Sequence, residues 1–331
     1  MRFPRGRAYF GSHAPEGRSQ KAEGCVHMTK KQKRQLEELG YVKRPGDRKD
    51  GRRLRDIDAM HAYMPYLMPN RCDAEVYQEE EMDVTNLLSY IAKYNEEHPD
   101  RHLTMFHCCV TAIAKTVKNR PKMNYFISGQ HMFERDKLTI GFIAKKKFAD
   151  HSEESVMVID CKDDMTLQDI SGRIVGDVKE ARTGRNNTAD QALDILLKLP
   201  RFLVKAFVWW QKWSDYHRWY PMSLMKVDTS FVSILMSNLG SIDCNACYHH
   251  LNNMGTNGIV VTIGVIHKKP VFLPDGSWEL HDFANFAFTL DERIADGFYF
   301  ARSVRLFNHI LQNPELLEHP LSEEVKYEFR R

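Results

Sequence analysis

The stretch Asp291-Glu292-Arg293-Ile294-Ala295-Asp296-Gly297 runs directly into Phe298-Tyr299-Phe300-Ala301-Arg302. Ahead of it, residues 285–290 read Asn-Phe-Ala-Phe-Thr-Leu, with the aromatic and β-branched content of a strand. Behind it, residues 301–311 are expected to form a helix that stops near Pro314. The seven residues therefore read as a charged junction between a strand and the last helix. Asp-Gly alone is too common to carry meaning, so the weight falls on the whole pattern and its setting.

Upstream, further elements follow from periodicity. Residues 54–68 read as a helix interrupted by Pro65, and residues 75–83, Glu-Val-Tyr-Gln-Glu-Glu-Glu-Met-Asp, as a partly alternating strand. Asp83 or Thr85 suits the cap of a helix through Tyr94, and a second helix spans 104–119, closed by Pro121. On that second helix His107 reads as a packed core residue. Strands are expected at 125–127, 138–144, 156–159, 231–236 and 259–266, and a helix opens at Thr166-x-x-Asp169. Pro274-Asp275-Gly276 supplies a turn between two late strands. This succession implies an α/β protein, a mixed sheet layered with helices.

Charge is distributed unevenly. Residues 1–55 carry 16 Lys and Arg against 6 Asp and Glu, whereas the remaining 276 residues carry 31 against 38. Residues 1–50 are thus read as a basic, unstructured arm, 51–318 as the main domain, and 319–331 as a tail. Met28 reads as a second start, which makes residues 1–27 an extension ahead of the domain. No apolar run follows the first arginines as a secretory signal requires, and seven cysteines without such a signal imply reduced thiols in the cytoplasm. Gly-rich phosphate loops, Gly-x-Ser-x-Gly and His-Glu-x-x-His are missing, which leaves nucleotide-dependent and serine-hydrolase readings without support. Nucleic acid is not expected as a partner.

The segment Leu193 to Trp213 stands apart in composition: aliphatic residues and three tryptophans alternate with Lys198, Arg201, Lys205 and Lys212. Its charges and Pro200 exclude a membrane span, which needs about 20 mostly uncharged residues. Two amphipathic helices divided at Pro200, one face packed on the body, are expected. Weak contact with a membrane surface, or binding of an acyl chain, is the other reading.

The signature at 291–297 resembles that of the CoA-dependent acyltransferases, chloramphenicol acetyltransferase and the dihydrolipoyl acyltransferase core of the 2-oxoacid dehydrogenases. Their motif is His-x-x-x-Asp-Gly, often with Asp before the histidine and Arg after it. Asp291, Arg293, Asp296 and Gly297 keep their places here, and Glu292 stands where the histidine belongs. Phe231-Val-Ser-Ile-Leu-Met-Ser237-Asn238-Leu239-Gly240 is similar to the family's Phe-Thr-Ile-Ser-Asn-Leu-Gly, and residues 259–266 with Lys269-Pro270-Val271 to its next strand and exit. The resemblance covers about residues 51–318, with an inserted segment at 190–225. It implies a chloramphenicol acetyltransferase-like fold and a homotrimer with CoA entering at subunit boundaries. It also implies an oxyanion-binding role for Ser237 and a loop-orienting ion pair for Asp296. A CoA thioester is then the substrate, with no metal expected. No lipoyl domain with its acceptor lysine, and no subunit-binding domain, is seen in the chain.

Glu292 decides between two functional readings. A thiol of pKa about 8.5 suits an imidazole of about 6.5 and not a free carboxylate of about 4.3, although burial raises a glutamate. Arg293 is an adjacent cation that would oppose this, unless a strand points it to the other face. One reading is an acyltransferase with Glu292 as a tuned base for an amine or hydroxyl acceptor. The other is a non-catalytic relative that binds acyl-CoA or acts as a scaffold. The loop Cys244-Asn-Ala-Cys247-Tyr-His249-His250 adds a third possibility for the base, because His249 or His250 would supply the missing imidazole. Its cysteines are too closely spaced for an ordinary zinc module and lack the strand–helix context of a redox pair. Gly297 is expected to allow a tight turn before the last helix.

Overall fold

In the computed structural model, which describes residues 43–145, 154–182, 198–226 and 228–328, a six-stranded mixed sheet carries the molecule. Its strands are β2 (Glu75–Asp83), β5 (Leu138–Lys145), β6 (Glu154–Cys161), β7 (Ile234–Asn238), β8 (Ile259–Phe272) and β9 (Trp278–Asp291). Their order is β2-β9-β8-β7-β5-β6, with β7 parallel to both its neighbours and every other pair antiparallel. Three short strands, β1 (Gly51–Arg53), β3 (Tyr125–Ser128) and β4 (His131–Arg135), form a separate antiparallel sheet ordered β1-β4-β3. Periodicity does not announce β1 and β4, which are too short for a pattern. The long β8–β9 hairpin turns through Pro274-Asp275-Gly276, where Leu273 N donates to Ser277 O at 2.8 Å.

Four helices cover one face of the large sheet: α2 (Thr85–Glu97), α3 (Met105–Asn119), α4 (Leu167–Arg182) and α6 (Gly297–Gln312). Between them and the sheet lies the core, with Ile234, Met236, Ile259, Val261, Phe286 and Phe288 supplied by the strands. Phe307 of α6 meets Phe286 and Phe288 edge-on at 5.4 and 6.0 Å. Burying such side chains stabilises the layer pair by about 2 kcal/mol each. Alternation along the strands sends Leu235, Ser237, Thr262, Ala287 and Asp291 to the opposite face.

Several expectations shift by a few residues. The first helix, α1 (Ala59–Leu67), is shorter than 54–68 and holds Pro65 within it rather than breaking there. Thr229–Phe231 is a 3-10 turn, so β7 starts at Ile234. The packed unit is Asp47–Arg331, wider than 51–318. At its start Arg48 is buried, and near its end Leu321 is buried while Lys115 Nζ donates to Pro320 O at 2.8 Å. Met1–Gly46 forms the other unit, and the basic arm through residue 42 lies outside the described residues.

The aromatic segment forms α5 (Arg201–Tyr216) directly after Pro200, and residues 193–197 of the expected first helix lie outside the described residues. Contrary to expectation, its apolar face does not pack inward. Ser214 and Asp215 are its buried residues, while Phe202, Trp209 and Tyr216 are exposed. The anchor is electrostatic. Asp215 Oδ1 accepts from Arg48 Nη1 at 2.9 Å, and Asp215 Oδ2 accepts from Gly255 N at 3.3 Å. Arg48 also donates to Asp50 at 2.8 Å and to Ser128 Oγ, and is 1% exposed.

Removing one member of a buried pair leaves an uncompensated charge. Asp215→Ala is expected to cost about 3 kcal/mol in urea unfolding, and Arg48→Leu, which strands Asp50 as well as Asp215, to cost more. A second prediction concerns His107, the N3 residue of α3. Its Nδ1 and the Thr104 hydroxyl cap the helix reciprocally, and Ser171 Oγ lies 3.1 Å from the same nitrogen. Burial pushes its pKa down to about 4 from the ordinary 6.5. The unfolded chain therefore takes up a proton first, so this contribution is complete above about pH 6.5 and is lost as pH falls toward 4, about 3 kcal/mol in all. His107→Gln retains a capping-box residue, and its urea midpoint should fall less between pH 7 and pH 4.5 than that of wild type.

Candidate active site

Glu292 lies on the turn that follows β9, not on a strand, and its position is fixed from two sides. Its backbone N–H donates to Ala74 O at 2.9 Å, beside the start of β2. The residues before and after it are locked together: Arg293 Nε and Nη2 donate to Asp291 Oδ1 and Oδ2 at 2.8 and 2.7 Å, with both side chains buried. Such a bidentate pair holds both residues rigidly. Arg293 Nη1 also donates to Met68 O at 2.8 Å, so the guanidinium points into the body. The neighbouring cation is thus committed to Asp291. Turn geometry does this, rather than the strand alternation expected from the sequence. The half-buried Glu292 carboxylate has no hydrogen-bond partner among the described residues.

A second buried guanidinium completes the frame. Arg71 Nε is 3.4 Å from Asp291 Oδ2, and Arg71 donates to the carbonyls of Asn252, Ile127 and Gly255 at 2.6, 3.0 and 2.9 Å. Arg71 and Arg293 share one carboxylate and together tie the 252–255 loop, β3 and the end of α1 to the Glu292 turn. Gly255 has φ +91°, and a Cβ there would lie 2.2 Å from Ser230 O, so the loop passes only as glycine.

The sheet's open face carries the remaining polar groups. Asp291 sits opposite Glu75, Thr289 opposite Tyr77, and Asn285 opposite Glu81 in the β9–β2 register. The loop after β7 folds over this face. Thr262 Oγ1 donates to Cys247 O at 2.6 Å, Tyr248 packs on Tyr77 at 5.1 Å, and His250 Nδ1 lies 3.1 Å from Glu75 Oε2. Glu75 is 2% exposed at its side chain and also accepts from Leu251 N at 2.5 Å. His250 is therefore oriented by a buried carboxylate next to the strand end that bears Glu292. His249 is exposed, with no hydrogen bond among the described residues. Thr289 Oγ1 and Asn285 Oδ1 are buried on this face without a hydrogen-bond partner.

Ser237, one residue before the end of β7, lies on the same open face, its hydroxyl unpartnered among the described residues. Asn-Leu-Gly follows as a 3-10 turn against β8; a Cβ on Gly240 would lie 2.5 Å from Gly264 O. Ser237 pairs with Thr262, and Thr262 with Ala287, two strands away from Ser237 and five residues before Glu292. At about 3.4 Å per residue and 4.8 Å per strand, Ser237 and Glu292 are roughly 20 Å apart. One chain does not bring them together.

Asp296 makes no ion pair among the described residues. It is exposed and caps α6, its side chain accepting from Tyr299 N at 2.7 Å. The ion pairing falls instead to Asp291. Gly297 is also unlike its expectation: a Cβ there would meet nothing within 4 Å, and it is simply the first residue of α6. Cys244 and Cys247 are exposed free thiols. Among the described residues no group of three or more His, Cys, Asp or Glu could hold a metal ion. Sequence reading missed Arg71 and Glu75, which nothing distinguishes from their charged neighbours until the loop is seen across them.

Residues 70–192 and 222–318 match the family model for the catalytic domain of the 2-oxoacid dehydrogenases acyltransferase, leaving out most of the α5 segment. A curated relative is the lipoamide acyltransferase component of the branched-chain alpha-keto acid dehydrogenase complex of Bacillus subtilis, 22% identical over 240 residues. That match covers 70% of this chain and 45% of the relative, so the chain spans about half its length. Among solved structures, a probable dihydrolipoamide acetyltransferase from Listeria monocytogenes superposes with TM-score 0.53 at 17% identity, covering 78% of this chain and 94% of that one. The cubic core of a pyruvate dehydrogenase multienzyme complex also gives 0.53, at 15% identity over 80% and 94%. So does the Azotobacter vinelandii dihydrolipoamide acetyltransferase, at 16% over 89% and 99%, whose catalytic mechanism has been probed at a serine, a histidine and an asparagine. These likenesses establish the acyltransferase-core fold.

The capping geometry makes a separable prediction. Asp296→Ala should lower stability by about 1 kcal/mol through loss of the α6 cap, while Asp296→Asn, which also caps, should stay near wild type in urea unfolding.

Proposed function

Because the chain belongs to the 2-oxoacid dehydrogenase acyltransferase family, we infer that it moves an acyl group between a CoA thioester and an acceptor, with Glu292 as general base. One observation carries the reading. The Glu292 carboxylate occupies the family's histidine position on a turn clamped by Asp291, Arg293 and Arg71, and Arg293, next to it in sequence, is turned away from it. A pure binding protein gains nothing from a carboxylate held so rigidly and left unpartnered. Glu292 and Asp296 also keep the four-residue spacing of the histidine and asparagine probed in the Azotobacter enzyme.

In this reaction the base withdraws the acceptor's proton as the acceptor attacks the thioester carbonyl. The tetrahedral intermediate then collapses, its carbon–sulfur bond breaks, and the CoA thiolate takes the proton back from the protonated carboxyl. A carboxylate suits an amine acceptor better than a thiol, because an amine attacks without first losing a proton. An attacking amine acidifies once its nitrogen is bonded to the carbonyl carbon, which narrows the pKa gap. Ser237 would donate to the oxyanion. Since Ser237 and Glu292 of one chain are roughly 20 Å apart by strand geometry, each site would combine the serine of one copy with the glutamate of another, in a homotrimer. Thr289 and Asn285, whose buried oxygens lack partners, would hydrogen-bond the bound thioester substrate. The setting for this chemistry is cytoplasmic.

The Glu75–His250 pair supports a second assignment within the same reaction: an imidazole oriented by a buried carboxylate is the usual design of a general base.

Thiol release from short- and long-chain acyl-CoAs, with amine, hydroxyl and thiol acceptors, separates the readings. Glu292→Ala should reduce kcat by about 10²-fold or more, and His250→Ala by only a few fold. The reverse pattern assigns the base to His250. Absence of wild-type turnover, with activity appearing only in Glu292→His, would make the protein an acyl-CoA-binding or scaffolding relative.

A further inference from the structure

Helix α5 presents its faces the wrong way round for a helix that serves only to pack. At 100° per residue, Val204, Phe207, Gln211, Ser214 and Asp215 share one side, and these are its less exposed positions. The directly opposite side carries Phe202, Ala206, Trp209, Trp213 and Tyr216, all exposed. Phe202 and Trp209 are 68% and 65% exposed. The aromatic rings form a ladder: Trp209 stacks on Trp213 at 6.1 Å, and Trp213 meets Trp219 at 5.1 Å. Along one flank of this ridge lie Arg201, Lys205 and Lys212, all exposed. The helix's one carboxylate, Asp215, faces the interior and is paired with Arg48, so the outward surface of α5 carries positive charge alone.

We propose that α5 is an anionic-membrane docking element, lying flat with its Trp209–Trp213 ridge at the headgroup boundary and its cations on lipid phosphates. Tryptophan is the side chain best suited to that boundary, because its ring is apolar and its N–H still finds water or an ester oxygen. Lysine and arginine at the side of an in-plane helix reach the headgroups while their stems stay on apolar ground. The contact is peripheral, since no helix among the described residues is long and apolar enough to cross a membrane. Sixteen residues give a ridge about 24 Å long. A protein partner would need an acidic groove of that length, whereas an anionic leaflet supplies negative charge everywhere.

The test uses the full-length protein and sedimenting vesicles of phosphatidylcholine alone or with about one-third phosphatidylglycerol. Wild type is expected to sediment with the anionic vesicles, with a blue-shifted tryptophan emission, and to be released as salt rises and screens the charges. Trp209→Ser/Trp213→Ser should lower partitioning about tenfold or more, and Lys205→Glu/Lys212→Glu should abolish the preference for anionic vesicles, both with unchanged circular dichroism. Failure of wild type to bind either vesicle at low salt overturns the proposal. So does equal binding by wild type and the tryptophan variant. Loss of the oligomer in light scattering by that variant, without vesicle binding by wild type, would assign the ridge to a second copy instead.

Discussion

Four buried arginines hold together the parts of this molecule that regular structure does not. Arg48, Arg71, Arg135 and Arg293 are all nearly inaccessible; each donates to backbone carbonyls, and Arg48, Arg71 and Arg293 also pair with carboxylates. Arg135 donates to Phe231 O and Thr256 O, and Arg71 to three carbonyls from two separate segments. Irregular chain can be buried only if its carbonyls find donors, and a planar guanidinium with five N–H groups satisfies several at once. The large sheet and its helices would form from hydrophobic burial alone. The segments 68–74, 252–257 and 291–293, which surround Glu292, would not.

This division explains which features could be read in advance. Strands β2 and β5 to β9 and helices α2, α3, α4 and α6 follow from apolar periodicity and caps, and the Ser-Asn-Leu-Gly and Asp-x-Arg-x-x-Asp-Gly stretches identify the acyltransferase fold that the solved structures share. The inward turn of Arg293, the Arg71 clamp and the Glu75–His250 pair depend on contacts between residues 175 to 225 positions apart, and no local pattern encodes them. The α5 face was misread for a related reason. Amphipathicity indicates that a helix has two sides but not which side meets the body, and here a single aspartate decides it. Asp215 is the one carboxylate in Arg201–Tyr216, a signal visible in the sequence once the helix is recognised as otherwise cationic.

Replacing the family's histidine by Glu292 leaves its surroundings intact. The aspartate before it and the arginine after it still form their buried pair, and the aspartate four residues on still caps the helix. The architecture therefore separates holding the turn from the identity of the side chain it presents. A substitution at the presented position alters the proton affinity of the group on the turn and leaves the residues that hold the turn in place.

Mechanically, α5 is a cantilever. Its last turn is clamped at Ser214 and Asp215, while its first turn stands clear of the body. A load along the free arm arrives at Gly255, whose N–H is gripped by Asp215 and whose carbonyl is gripped by Arg71. Arg71 in turn bears on Asp291, the residue immediately before Glu292. Torque on the helix and stiffness of the Glu292 turn thus meet at one residue, where any side chain would collide.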